Sequence, residues 1–366
     1  MRINNPKILI IKLSYIGDTA TLIPVINNLK EKMPDVVLDV MVNRGTEELL
    51  TYHPSIRNVY AYDRKSAKGS FFNSAFYHIK LFRILRSAKY DFVIDFTLGD
   101  RSAFISFVTG TPKRIGYRSA TRISRLLMNH LIDINPLEHH IVDFQLEALR
   151  FFSLRDFRRS YEIYVPDQIQ ARIDRLLDPT GVACPHPTIA IHPGARKKAR
   201  QWRPERFGEI ARRLHEKYNA RIILLGGPDD LNVVDIVESS LGPDVALKFS
   251  GLSLLEMAAL LKRCNLFIGN DTAPGHIAAG VQCPTLTLFG PNLPLLWRPI
   301  SPHGDVLFKE LPCCRCRHEV ALCVRPENNC MDMITVDEVW EKSEDLLAKV
   351  YFSPEIRANA LCETPG

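Results

Sequence analysis

The stretch KILIIKLSYIGDTATLIPVINNLK, Lys7 to Lys30, decides the fold. A short apolar run, KILIIKL, leads into a turn that carries Gly17, and beyond it apolar residues recur at helical spacing. A strand, a glycine-bearing turn and a helix in that order open a nucleotide-binding α/β unit. Such a turn normally offers bare N–H groups to a phosphate. Here it offers Asp18, whose carboxylate repels one. Taken alone, an aspartate at this place is a helix N-cap, and that reading competes with a catalytic one. Pro24 cannot donate the helical hydrogen bond to Ala20, so the helix is expected to kink or to start late.

The same alternation runs outward from this stretch. VVLDVMV, NVYAY and FVIDFTL read as strands, with helical segments such as FYHIKLFRILRSAKY between them. After a helical QIQARIDRLL and a linker DPTGVACPHPT, a second series begins with TIAIHPG and continues through RIILLGG, ALKFS, NLFIGN and TLTLFG. Helical segments again separate the strands, so the chain predicts two parallel sheets with helices on both faces. The domain boundaries follow: residues 1–165, a linker over 166–187, a second domain over 188–335, and a C-terminal helix and tail over 336–366. Two such domains facing across a cleft would put strand C-terminal ends and helix N-termini on its walls, where open α/β sheets bind ligands.

A chain of 366 residues with 46% hydrophobic and 24% charged composition matches a soluble globular protein of two ordinary domains. No apolar run reaches the roughly 18 residues of a membrane span, and the N-terminal residues lack the pattern of a secretory signal, so a cytoplasmic location is expected. Charge is uneven. Residues 1–165 hold 24 basic and 16 acidic side chains, net +8, and residues 166–366 hold 23 and 25, net −2. The first half is therefore expected to meet an anion, such as an anionic glycolipid.

Two stretches of the second domain carry the densest chemistry. HPGARKKARQWRPERF sets Arg196, Lys197, Lys198, Arg200, Arg203 and Arg206 against one acid, Glu205, in a loop after a strand. Guanidinium groups there suit a diphosphate. NDTAPGHIAAGV follows a strand and enters a helix of small residues, whose first-turn N–H groups and Thr272 hydroxyl suit the same ligand. His276 lies in that first turn. In the first domain, residues 101–130 contain six basic residues and no acid; Arg114, Arg118, Arg122 and Arg125 recur at three- and four-residue steps, and the latter part, if helical, would set several guanidinium groups on one face towards an anionic acceptor. Few aromatics interleave with them, which favours a discrete anion over nucleic acid.

Several chemistries lose support. A P-loop, a G-x-G-x-x-G fingerprint and a G-x-S-x-G elbow are all absent. D-x-D occurs nowhere, so no carboxylate pair of that kind is present to hold a metal on a nucleotide-sugar. Cys313, Cys316, Cys323 and Cys330 contain one C-x-x-C and two later cysteines, a spacing open to a structural zinc site and to free thiols.

Taken jointly, KILIIKLSYIGDTATLIPVINNLK, HPGARKKARQWRPERF, NDTAPGHIAAGVQCPTLTLFGP and the cysteine-rich CCRCRHEVALC resemble family 9 glycosyltransferases, the ADP-heptose:lipopolysaccharide heptosyltransferases. The resemblance covers roughly residues 6–345. It implies a GT-B fold of two doubly wound Rossmann-like domains, an ADP-sugar donor in the second domain and an anionic lipopolysaccharide core acceptor at the first. It further implies inverting, metal-independent transfer without a cofactor; contact with the inner membrane is expected to be peripheral at most, through the basic first domain. Asp18 takes the place of the base, Arg200 or Arg203 that of the phosphate contact, and Asp271, Thr272, Gly275 and His276 form the donor element. Asp229 or Asp230 is expected at the adenosine. The same fold with another nucleotide-sugar or acceptor, and a non-catalytic glycolipid-binding protein, remain open. Two departures from the family pattern stand out: ARQWRP has no lysine before the tryptophan, and TAPGH replaces the TGLSH form.

Overall fold

The structure, a computed structural model, describes residues 5–67, 71–179, 186–242, 245–313 and 329–351. The chain divides into two compact units, one ending at Tyr164 and the other beginning at Val165. The helix Asp167–Leu177 belongs to the second unit.

In the first unit six strands form one parallel sheet: β1 (Lys7–Lys12), β2 (Val37–Asn43), β3 (Ile56–Tyr62), β4 (Phe92–Asp95), β5 (Lys113–Tyr117) and β6 (His130–Ile132). Their order is β3-β2-β1-β4-β5-β6, so the direction of winding reverses between β1 and β4. β1 is buried over five of its six residues, which is why it reads as a continuous apolar run. The helix after it does break as Pro24 predicts. One turn, Ile16–Ala20, ends at Thr21, and a new helix, Ile23–Lys32, starts with Pro24 in its first turn, where the missing N–H costs nothing.

The second unit repeats the plan with β7 (Thr188–His192), β8 (Arg221–Gly226), β9 (Ala246–Ser250), β10 (Leu266–Asn270), β11 (Thr285–Phe289) and β12 (Gly304–Phe308). Their order is β12-β11-β10-β7-β8-β9, which reverses between β7 and β10. Helix ends follow local chemistry. Pro204 opens the helix Pro204–Tyr218 and Asn219, at φ 50°, closes it in the left-handed region. Reciprocal Ser253–Glu256 and Thr335–Glu338 capping boxes start two others. The core centres on Trp202, Phe207, Ile189, Ile222 and Leu288, with the helix Val336–Val350 laid against it through Val339, Leu346 and Leu347. Among the described residues no helix is long and apolar enough to cross a membrane.

Three strands escape the sequence pattern. KRIGY is β5, HLI is β6 and GDVLF is β12. The first of these corrects the expectation of a shared helical face for the arginines at 114, 118 and 122. Arg114 lies on β5 and Arg118 just after it, and only Arg122 and Arg125 share a helix, Arg122–Leu127.

Candidate functional site

Open α/β sheets bind ligands where the winding reverses, beyond the C-terminal ends of the strands. In the first unit that place is the turn after β1, and several of its main-chain groups are engaged. The Leu13 N–H donates to Thr97 Oγ1 at 2.9 Å, Arg64 donates to the Leu13 carbonyl at 2.8 Å, and Asn43 donates to the Ser14 carbonyl at 2.6 Å. The Tyr15 N–H donates to Asp18 Oδ2 at 3.2 Å. Asp18 is thus the third residue of the helix rather than its N-cap, which is Tyr15. Its other oxygen, Oδ1, stands 3.4 Å from Lys12 Nζ. That ammonium is itself buried and donates to the Phe96 carbonyl at 3.0 Å. Asp18 is therefore a carboxylate fixed in rotamer from both sides, with 14% of its side chain exposed.

A second carboxyl lies behind it. Asp95 ends β4 fully buried, and burial raises its pKa to about 6, against the pull of Ser102, Thr97 and the Lys12 charge. Asp95 Oδ1 accepts the Thr97 N–H at 2.8 Å and so shapes the loop that holds Leu13.

In the second unit the reversal lies between β7 and β10, and buried Asn270 fastens the two strand ends together. Its amide donates to the carbonyls of Pro193 (2.8 Å) and Gly194 (3.3 Å), while its Oδ1 accepts the Trp202 N–H at 3.0 Å. Trp202 is fully buried, edge-on to Phe207, with its indole N–H on the Ile334 carbonyl at 2.9 Å. The aromatic in the basic loop is therefore an anchor. It leaves Arg196 and Lys198 exposed and turns Arg200 towards Asp271, NH1 to Oδ2 at 3.4 Å.

Asp271 is nearly buried, and burial raises its carboxyl above the usual range, opposed by the Arg200 charge and by Asn292, whose amide donates to Oδ2 at 2.5 Å. Thr272 then caps the helix Ala273–Gly280 with its backbone only; its hydroxyl donates instead to the Asn270 carbonyl at 3.2 Å. Pro274 has no N–H to offer at the first turn. A cationic side chain and a helix start without a side-chain cap suit an anion of diphosphate type.

The family model for glycosyltransferase family 9 (heptosyltransferase) matches residues 78–324. Over 322 residues the chain is 30% identical to lipopolysaccharide heptosyltransferase 3 of Escherichia coli, spanning 85% of this chain and 93% of that protein. The chain belongs to glycosyltransferase family 9. This confirms the resemblance read from its motifs and makes it a glycosyltransferase. A solved family 9 structure from Veillonella parvula covers 95% of this chain and 99% of that one, with TM-score 0.83 and 20% identity. E. coli ADP-heptose LPS heptosyltransferase II gives 0.76 over 94% and 99%, also at 20%. These likenesses show the GT-B fold.

Within this family 9 chain the predicted residues part company. Asp18 stands at the first reversal, and Arg200, Asp271, Thr272 and His276 gather at the second. Arg203 does not join them: its Nε donates to Asp332 at 2.5 Å. Gly275 is buried, where an added Cβ would come 3.3 Å from Pro299, so its smallness serves packing. Asp230 is engaged inside the fold. It accepts the Gly227 N–H at 3.0 Å and lies 3.6 Å from His192, a contact that holds its carboxyl below the usual range. It also approaches Gly194 so closely that a Cβ there would sit 2.1 Å from Oδ1. Asp229 is exposed. Arg114 donates to the carbonyls of Leu127 (2.8 Å) and Thr111 (2.7 Å), and Arg118 pairs with exposed Asp133 at 3.2 Å.

Cys316 and Cys323 of the cysteine cluster lie outside the described residues; Cys313 and Cys330 are each half-buried. Sequence reasoning missed Lys12 and Asp95 and gave Asn270, the first residue of NDTAPGHIAAGV, no role of its own. Each is a single polar residue at the end of an apolar strand, and that is the only signal they leave.

Proposed function

We propose that this enzyme moves heptose from ADP-heptose to the inner core of lipopolysaccharide, with inversion and without a metal. The acceptor hydroxyl attacks the anomeric carbon from the face opposite ADP. A carbon–oxygen bond forms to the acceptor, the bond to the β-phosphate oxygen breaks, and Asp18 takes the hydroxyl proton. Arg200 and the start of the helix Ala273–Gly280 stabilise the charge that gathers on departing ADP. His276 and Asp229 contact the donor, and Arg122 contacts the anionic acceptor.

The observation that carries this reading is the opposite charge of the two reversal points. One presents a partly exposed carboxylate fixed in place, and the other a guanidinium beside a helix start. The 30% identity to a lipopolysaccharide heptosyltransferase supports the donor and acceptor. The lack of a D-x-D motif supports a metal-free leaving group. A lipid-borne acceptor also calls for peripheral contact with the inner membrane.

Incubation with ADP-heptose and a heptose-deficient core acceptor tests the proposal. ADP release that depends on acceptor is expected, with the product's anomeric configuration opposite to the donor's. ADP-heptose turnover without acceptor, or none while a known heptosyltransferase works alongside, would overturn it.

A further inference from the structure

We propose that the outer face of the helix Phe71–Ser87 is a docking surface for an anionic lipid bilayer. The inner face of this helix packs Leu81 and Leu85 into the core with Leu9 and Val93. Its outer face should then be polar. Instead Phe76, at 72% exposure, Ile79 and Ile84 point outward, interleaved with Lys80, Arg83 and Arg86.

The surface extends beyond one helix. The helices Phe71–Ser87, Asp100–Val108 and Arg122–Leu127 connect β3 to β4, β4 to β5 and β5 to β6, and right-handed crossovers put all three on one side of the sheet. Phe82 and Phe104 meet ring to ring at 5.9 Å, and the Thr121 hydroxyl donates to Asp100. On the two neighbouring helices Phe104, Phe107, Ile123 and Leu126 are again exposed, Leu126 at 83%.

Charge selects the occupant. No acidic residue occurs from Arg64 to Tyr90 or from Arg101 to Leu131, whereas these stretches hold seven and six basic ones. A second copy of the chain would bring this positive face against itself, because a two-fold interface is self-facing. Apolar side chains flanked by lysine and arginine, with no carboxylate among them on the helix, are the composition of a helix lying in the plane of a bilayer interface. Anionic headgroups answer the cations and the acyl boundary takes the phenylalanine and isoleucine.

This deepens the proposed function by bringing the enzyme to a lipid-borne acceptor. Vesicle binding is measured without any substrate, so either idea can fail alone. The test is co-sedimentation of the full chain with vesicles of phosphatidylcholine, with and without phosphatidylglycerol. Binding is expected only to the anionic vesicles and should fall as salt rises. Lys80→Glu with Arg83→Glu should weaken it by more than about tenfold, since each cation near such a surface accounts for about fivefold. Phe76→Ser with Ile79→Ser should weaken it at unchanged charge, and both double variants should keep ADP release with a soluble acceptor fragment. Hydrogen exchange on the unaltered protein gives a second readout, with vesicle-induced protection expected over residues 71–87. Equal binding to both vesicle types, no protection of that helix, or a dimer abolished by Phe76→Ser with Ile79→Ser would overturn the assignment.

Discussion

Both units use six parallel strands in the same spatial plan, and both put an aspartate at the reversal point, yet the two aspartates live differently. Asp18 keeps 14% of its side chain exposed and is fixed by Lys12 and the Tyr15 N–H. Asp271 keeps 6%, has its charge met by Arg200 and Asn292, and is pushed towards neutrality by burial. The first can meet a substrate proton. The second orients a cation. The two carboxylates sit on different elements, one after the first strand of its unit and the other after the fourth, and what surrounds each decides what it can do.

The most direct way to break that comparison is Asp18→Asn, which keeps the shape and removes the base. Turnover should fall about a thousandfold, while calorimetry with ADP-heptose should give an unchanged dissociation constant. Activity near that of the unaltered enzyme would return Asp18 to a purely capping role. Arg200→Ala attacks the other side. It should lower kcat/KM about a hundredfold and weaken ADP binding, with Arg200→Lys regaining part because charge returns without the guanidinium fork. If Arg200→Ala binds and turns over ADP-heptose normally, the leaving group is held elsewhere.

Much of this contrast is legible in the amino-acid sequence. β1, β2, β4, β7, β8, β10 and β11 announce themselves because buried parallel strands are continuous apolar runs, while the edge strands β3 and β9 are read from the aromatic and aliphatic residues of NVYAY and ALKFS. β6 and β12 are sheet edges and β5 adjoins one, so three to five partly covered residues with lysine or arginine nearby leave no such run. Asp18 and Asp271 are legible from their turns. Lys12, Asp95 and Asn270 are not, because their meaning depends on β1 lying beside β4 and β7 beside β10. A strand order that skips two or more elements is not written in local pattern, and the polar residues that fasten those strand ends are invisible with it.

Asp95 offers a test through stability. Its carboxyl titrates near 6 in the fold, against 3.8 as an ordinary side chain, because burial disfavours the ion. Between those values the folded state holds more protons than the unfolded one, so this group makes stability fall as pH rises from about 4 to about 6. The penalty persists above that window and is on the order of 2 to 3 kcal/mol. Asp95→Asn carries no such proton, and its urea midpoint should change less than that of the unaltered chain between pH 4.5 and 7.5. A parallel pH dependence in the two proteins would mean that Asp95 stays ionised throughout, sustained by Lys12.

The smallest effect is expected where two arginines three residues apart are compared. Arg203 and Arg200 both flank Trp202 in the basic loop, and sequence alone cannot divide the phosphate contact between them. The buried indole does divide them. It holds Arg200 towards Asp271 and leaves Arg203 at the start of the next helix, paired with Asp332. An exposed ion pair of that kind contributes little. Arg203→Ala should therefore change kcat/KM by less than about twofold, against the hundredfold expected at Arg200 in the same assay. A large loss at Arg203 with a small one at Arg200 would reverse the assignment and require the loop to re-form around Trp202 when the donor binds.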